Sequence, residues 1–174
     1  MDSSALYRAM LPTPLGDAFF YTQGGQLVGL GFAGPYADSL FEHLARHTGQ
    51  TPADAPASPL VKEAARQLKE YLSGSRRGFD LPLGLAGTDF QRRVWRQLLD
   101  IPYGTTVTYG QIAARCNTQS ARAVGSAVGS NPLCIVVPCH RVLAANGKVG
   151  QYSGGQGPQT KAWLLSLEGA EVGA

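Results

Sequence analysis

The sequence predicts a mixed α/β (α+β) protein, on three observations. AFFYT (Ala18–Thr22), the turn QGG and QLVGLGFA (Gln26–Ala33) make a β-hairpin signature. Apolar residues recur at helical spacing at Leu60, Val61, Ala64, Leu68, Tyr71 and Leu72. A short β-branched run, LCIVV (Leu133–Val137), reads as a buried strand. With 174 residues, 44% of them hydrophobic, the chain can bury a core without staples. Three cysteines at irregular spacing are unlike a disulfide framework, so free thiols are expected.

After the hairpin a helix is expected over about Ala37 to Arg46, and then a Pro/Ala loop from Thr48 to Pro59. Ser58-Pro59 supplies an N-cap and an N1 proline for the next helix, which Ser73-Gly74 ends. The segment FDLPLGLAG (Phe79–Gly87) reads as a linker or edge strand and divides the chain into domains 1–84 and 85–174. Beyond it, Phe90, Val94, Trp95, Leu98 and Leu99 share a helical face. Thr108 and Gln111 form a capping box for a short helix from Tyr109 to Cys116. After the turn NTQ, a second helix runs from Ser120 to Ser130, giving a helix-turn-helix pattern or a plain helical hairpin.

Charge is divided unevenly. Residues 1–84 carry seven Lys/Arg and eight Asp/Glu, whereas residues 85–165 carry eight basic residues against Asp89 and Asp100. A basic half suits a polyanion, although basic faces are often only solvated. The helix SARAVGSAVGS has Arg122 as its one charged side chain, and Gly125 and Gly129 each cost about 1 kcal/mol of helix propensity. Such a smooth helix fits close approach to a nucleic-acid backbone or minor groove, with Arg122 as a wedge. Tight packing on the protein's own core is the alternative. The chain start has no basic segment followed by an apolar one, and no run of eighteen apolar residues occurs. A soluble protein of the cytoplasm, with no membrane partner, is expected.

Cys139 could be a redox partner of Cys134, a metal ligand, a buried filler or a nucleophile. No second Cys/His cluster completes a tetrahedral site, and His43 and His47 lack a third ligand, which leaves them on a solvated helix face. A strand between Cys134 and Cys139 disfavours a disulfide, and Cys134 fits core. Cys139 follows Pro138 and precedes His140 and Arg141, so an exposed thiol of depressed pKa is expected. His140 is its candidate base once the chain turns there, or through a water. Glu168 is the candidate orienting acid, since Asp89 and Asp100 fall at helix ends. The glycine cluster after Gly150 matches no nucleotide-binding loop. It could bring Tyr152, Ser153 and backbone N–H groups to a substrate, or be merely a turn-rich connection.

GTDFQRRVWRQLLDIPYGTTVTYGQIA, ARAVGSAVGSNP, IVVPCHRV and GQYSGG followed by Lys161, Trp163-Leu164-Leu165 and Glu168-Gly169 closely resemble the O6-alkylguanine-DNA alkyltransferases. The resemblance runs from Gly87 to Gly169; the first 80 residues share only the general pattern. It implies a ribonuclease-H-like α/β domain followed by a winged helix-turn-helix domain that binds double-stranded DNA in the minor groove. It implies that alkylated guanine is flipped into a pocket, and that Cys139 takes the alkyl group once and irreversibly, with O4-alkylthymine a further candidate substrate. His140, through a water and oriented by Glu168, helps form the thiolate, and Tyr109 donates to the leaving guanine. Ser153 and the backbone around Val142 hold the guanine edges, with Tyr152 and Gly154 in the same loop. Arg122, with Ala121 beside it on the DNA-facing helix, fills the gap in the base stack. Asn131 is a hinge that supports the turn at Cys139.

Two departures from the family pattern stand out. The turn ARCNTQSAR is one residue shorter and lacks a glycine, which puts Asn117 in the left-handed position. The loop GGQGPQT after Ser153 is about two residues longer, with consequences for the size of alkyl group accepted. Some members hold zinc through N-terminal cysteines; none precedes Cys116 here, so neither metal nor cofactor is expected. A monomer is expected. Two rival readings remain: a cysteine hydrolase, which must turn over, and a non-catalytic binder of alkylated DNA.

Overall fold

Two glycines close the predicted hairpin. β2 (Gly16–Gln23) and β3 (Gln26–Phe32) pair antiparallel through Gln23 and Gln26, with Gly24 at φ 60° and Gly25 at φ 77°, the two positive values of a type I′ hairpin turn. The structure, a computed structural model, describes residues 4–172; the first three and last two residues of the expected domain ranges lie outside the described residues. β1 (Tyr7–Thr13) lies antiparallel to β2 and parallel to β4 (Ala53–Asp54), giving the sheet order β3-β2-β1-β4. Neither outer strand was evident in the sequence. β1 buries only Ala9, and β4 is two exposed residues in the expected loop, so neither shows alternation.

α1 (Ala37–Thr48) lies over β3, and α2 (Pro59–Leu72) packs on β1 and β3. Ser58 Oγ accepts from Val61 N at 3.2 Å, and α2 buries Val61, Ala64, Leu68, Tyr71 and Leu72. The segment after α2 runs along the free edge of β3, where Leu27 N donates to Pro82 O at 2.8 Å and Gly84 N to Leu27 O at 3.0 Å.

α3 (Asp89–Leu99) starts at a Thr88–Gln91 capping box and buries Val94, Trp95 and Leu98. Leu99, expected on that face, is 42% exposed, because the helix ends there and Ile101 turns into the core instead. β5 (Val107–Thr108) leads into α4 (Tyr109–Arg115) through the predicted Thr108–Gln111 capping box. Asn117 has φ 56° in the turn to α5 (Ala121–Gly129), as its position between the helices predicts. Val124, Ala127 and Val128 of α5 face inward, and Trp95 Nε1 donates to Ala127 O at 2.8 Å. β6 (Val142–Leu143) pairs parallel with β5, and α6 (Pro158–Leu167) closes the fold. One core cluster joins β2, β3 and α2 to α3, α5 and α6.

The predicted LCIVV strand does not form. The run is buried, but Ile135 has φ 72°, and Val136 N donates back to Cys134 O at 2.8 Å and Val137 N to Leu133 O at 2.9 Å. A β-branched residue in the left-handed region is costly, and the hydrogen bonds on both sides hold it there. Apolar composition reported burial correctly but not extension. Among the described residues no helix is long and apolar enough to cross a membrane.

Candidate functional site

The reversal at Ile135 is pinned by one side chain. Asn131 Oδ1 accepts from Leu133 N at 2.9 Å while its Nδ2 donates to Val137 O at 2.8 Å, so the amide spans both ends of the turn. The same segment docks on β3, with Leu30 N donating to Pro132 O at 2.8 Å and Cys134 N to Leu30 O at 3.2 Å. Pro138 then enters a 3-10 turn, Cys139–Arg141, in which Cys139 N bonds to Val137 O and Arg141 N to Pro138 O. The chain therefore does turn between Cys139 and His140.

Cys139 is not the exposed, acidified thiol that its neighbours suggest. It is 4% exposed, and burial pushes its thiol pKa up, with the Asn131 side chain and the Lys161 ammonium opposing that rise. Cys134 is likewise buried, beside the Tyr152 hydroxyl, and its thiol is pushed up by burial. All three cysteines are free thiols.

Behind Cys139 lies a buried charged cluster. His140 Nε2 is 2.7 Å from Glu168 Oε2, and Arg141 donates from Nε to Oε1 at 2.8 Å and from Nη2 to Oε2 at 2.9 Å. Gly104 N donates to Oε1 at 3.1 Å, and the Tyr71 hydroxyl makes a short bond to Oε2. Burial acts to raise the Glu168 pKa, but the bonds from His140, Arg141 and Tyr71 prevail and hold the carboxyl well below its usual range. Burial lowers the His140 pKa, against the pull of Glu168. With Nε2 on the carboxylate, His140 Nδ1 is buried with no hydrogen-bond partner among the described residues. Arg141, read from the sequence as a reason for exposure, is instead buried, its Nη1 donating to Ile101 O at 2.7 Å.

In front of the thiol is a cavity of about 200 Å³ whose wall includes Tyr109, Gly125, Val128, Tyr152 and Ser153. Tyr109 begins α4, and burial together with the neighbouring Cys139 raises its pKa. Ser153 Oγ donates to Gly129 O at 2.9 Å, which ties the glycine loop to the end of α5. A Cβ on Gly154 would come within 2.7 Å of the Tyr152 ring and 3.0 Å of Cys134 Sγ, so only glycine fits. Val142 is buried behind the 3-10 turn. Ala121 and Arg122 stay outside the cavity, exposed on the first turn of α5.

Sequence reasoning missed three contributors. Lys161 of α6 is wholly buried, donates from Nζ to Gln151 O at 3.2 Å and lies over the Tyr109 ring at 6.0 Å; burial lowers its pKa to about 8. Tyr71 shows in the sequence only as one more apolar helix position, and Tyr36, at the start of α1, lines the cavity from the first half of the chain. A lysine set among the apolar residues of a helix was the one available signal. His43 is not on a solvated face: its Nε2 meets Ala86 O at 2.7 Å and its ring packs on Trp95.

The family described as "6-O-methylguanine DNA methyltransferase, DNA binding domain" matches residues 89–170. A methylated-DNA-protein-cysteine methyltransferase of Methanosarcina barkeri is 44% identical over 133 residues, covering 73% of this chain and 83% of that protein. The chain belongs to the methylated-DNA-protein-cysteine methyltransferase family. The Methanosarcina acetivorans methyltransferase is 49% identical over 110 residues, 63% of this chain and 69% of that protein. Likeness to solved methyltransferases extends over both halves. The crystal structure of Mycobacterium tuberculosis OGT in complex with DNA matches with TM-score 0.77 at 38% identity, covering 94% of this chain and 92% of that one. The O6-methylguanine-DNA methyltransferase of Pyrococcus kodakaraensis matches with TM-score 0.71 at 28% identity, covering 95% and 99%.

Proposed function

We propose that this protein repairs DNA by moving the alkyl group from O6 of guanine to its own Cys139, once per chain, acting as a monomer in the cytoplasm. The observation that carries the reading is Cys139 at the wall of a cavity of about 200 Å³, backed by the His140–Glu168 pair. Residues 1–84 form the ribonuclease-H-like domain and residues 85–174 the winged helix-turn-helix domain. α5 faces the minor groove, and Arg122, with Ala121 beside it, takes the place of the flipped base.

The thiol of Cys139 gives its proton through a water to Nδ1 of His140, the nitrogen that Glu168 leaves unoccupied. Glu168 stabilises the imidazolium that forms, as the third member of a nucleophile-base-orienter set. The sulfur attacks the alkyl carbon, the carbon–oxygen bond breaks with its electron pair passing to the guanine, and the Tyr109 hydroxyl protonates the departing base. Lys161, close to both Cys139 and Tyr109, favours the thiolate and can reprotonate the tyrosine. Ser153 and Tyr152 hold the guanine edges, and Gly154 lets the loop close on them. Asn131 holds the turn that presents the sulfur. The thioether has no leaving group as good as guanine, so the chain is consumed.

Duplex DNA carrying one tritiated O6-methylguanine tests this. The expected result is a single burst reaching at most one methyl per chain, absent in Cys139→Ser. Continued release of methanol or repeated turnover identifies a hydrolase, and tight binding without label identifies a non-catalytic binder; either result overturns the reading.

A further inference from the structure

Glu168 carries more donors than a carboxylate needs to orient one histidine. Its Oε1 accepts from Gly104 N and Arg141 Nε, and its Oε2 from Arg141 Nη2, His140 Nε2 and the Tyr71 hydroxyl. Of these partners among the described residues, Tyr71 alone comes from the first half of the chain, from the last turn of α2. Its side chain is fully buried, the ring edge-on to Tyr103 and tilted against Phe79, and its hydroxyl oxygen lies 3.3 Å from His140 Nε2. The phenol therefore meets the carboxylate on the same oxygen that holds the imidazole.

A base must be neutral before it accepts a proton. A buried carboxylate bonded to an imidazole alone favours the imidazolium, and a histidine already charged has no lone pair at Nδ1 for the proton of Cys139. The charged groups that face His140 are the Glu168 carboxylate and, of opposite sign, Arg141 beside it in the 3-10 turn and Lys161 of α6; the Cys139 thiol precedes it in the turn. Tyr71 is the uncharged member of the set, its ionisation suppressed by burial and by Glu168. Resting on the alkyl-transfer reading, we propose that Tyr71 is a positioning residue for the transfer: its hydroxyl takes a share of the Glu168 charge, which leaves the imidazole neutral and turned with Nδ1 open until Cys139 gives up its proton. Nδ1 is the nitrogen that has no hydrogen-bond partner among the described residues, as that task requires. Tyr71 does not line the cavity in front of the thiol, so it acts through Glu168 and His140 and not on the alkyl group.

Tyr71→Phe deletes the hydroxyl and keeps the ring. Two readouts test the assignment: NMR titration of the His140 imidazole in the free protein, and single-turnover methyl transfer from duplex O6-methylguanine across pH. With the hydroxyl gone the Glu168 charge falls more heavily on His140, and its midpoint is expected to rise by about one pH unit. Transfer at about pH 6 is then expected to drop to about a third of the unmodified rate, with the two rates converging above about pH 8. 3-Fluorotyrosine at position 71 alone, a more acidic phenol and a stronger donor in the same space, is expected to lower the midpoint by roughly a few tenths of a unit, and it decides the matter if Tyr71→Phe does not fold. A His140 midpoint unmoved by either substitution, or a fall in rate that is equal at every pH, overturns the assignment and leaves Tyr71 a packing residue. Absence of methyl transfer in the unmodified chain overturns the reading beneath it instead, while the His140 titration still reports on Tyr71.

Discussion

Glu168 shows how much one side chain settles at this site. It receives bonds from His140, Arg141, Gly104 and Tyr71, and among the described residues it is the one carboxylate paired with Arg141. Glu168→Gln leaves Arg141 buried without its counter-charge, and a loss of about 3–5 kcal/mol in urea unfolding is expected. Full stability in that variant would contradict the arrangement. The pH dependence follows in sign. The folded Glu168 carboxyl titrates below its ordinary value, so the stability it contributes is complete above about pH 4.5 and lost as pH falls below that. His140 titrates below 6.5 when folded, so protonation of the unfolded chain removes stability from about pH 6.5 downward. Both act in the same direction, and the thermal midpoint should fall steadily from pH 7 to pH 4. Gly154→Ala tests packing at the same scale: its methyl collides with the Tyr152 ring, at a cost of about 1–3 kcal/mol and with slowed transfer. The grouping of Cys139 with His140 and Glu168 was legible in the sequence, from a thiol next to an imidazole and from the shortage of other acids in that half of the chain. The burial of Cys139 was not, because the cavity it faces is walled by residues scattered from Tyr36 to Ser153 along the chain.

At the scale of elements, the proposed approach to DNA falls on α5. Its inner face is Val124, Ala127 and Val128, and a Cβ on Gly129 would meet nothing within 4 Å. The protein's own packing therefore does not require that glycine. Gly129→Ala should stabilise the free protein by up to about 1 kcal/mol through helix propensity. It should also slow alkyl transfer, because Gly129 lines the base cavity. Calorimetry and single-turnover rates together check this; a variant that gains stability at no kinetic cost would contradict a role for the bare helix surface. Both capping boxes and the Asn117 turn were legible because caps are local chemistry within four residues. The reversal at Ile135 was not, since Asn131 side-chain bonds impose it on a sequence of high strand propensity.

For the molecule as a whole, charge and family likeness tell different stories. The basic second half, with eight Lys/Arg against two acids over residues 85–165, predicts DNA affinity that falls steeply with salt. Arg122→Ala is expected to weaken binding to alkylated duplex and slow transfer, with thermal stability unchanged; unaltered binding and rates would remove the wedge. The first half gave little away in the sequence beyond its hairpin and helices. The structure shows what that half does for the site: β3 receives the Pro132–Cys134 backbone, α2 sends Tyr71 to Glu168, and Tyr36 walls the cavity. The hydrogen bonds among these contacts join residues about 100 positions apart, which no local pattern encodes. The most direct test of the account is peptide mass analysis after incubation with excess duplex carrying O6-methylguanine. The account predicts one added methyl, confined to the peptide containing Cys139, at no more than one per chain. A methyl on Cys134 or Cys116, or DNA repaired in excess of protein with Cys139 unmodified, would contradict it.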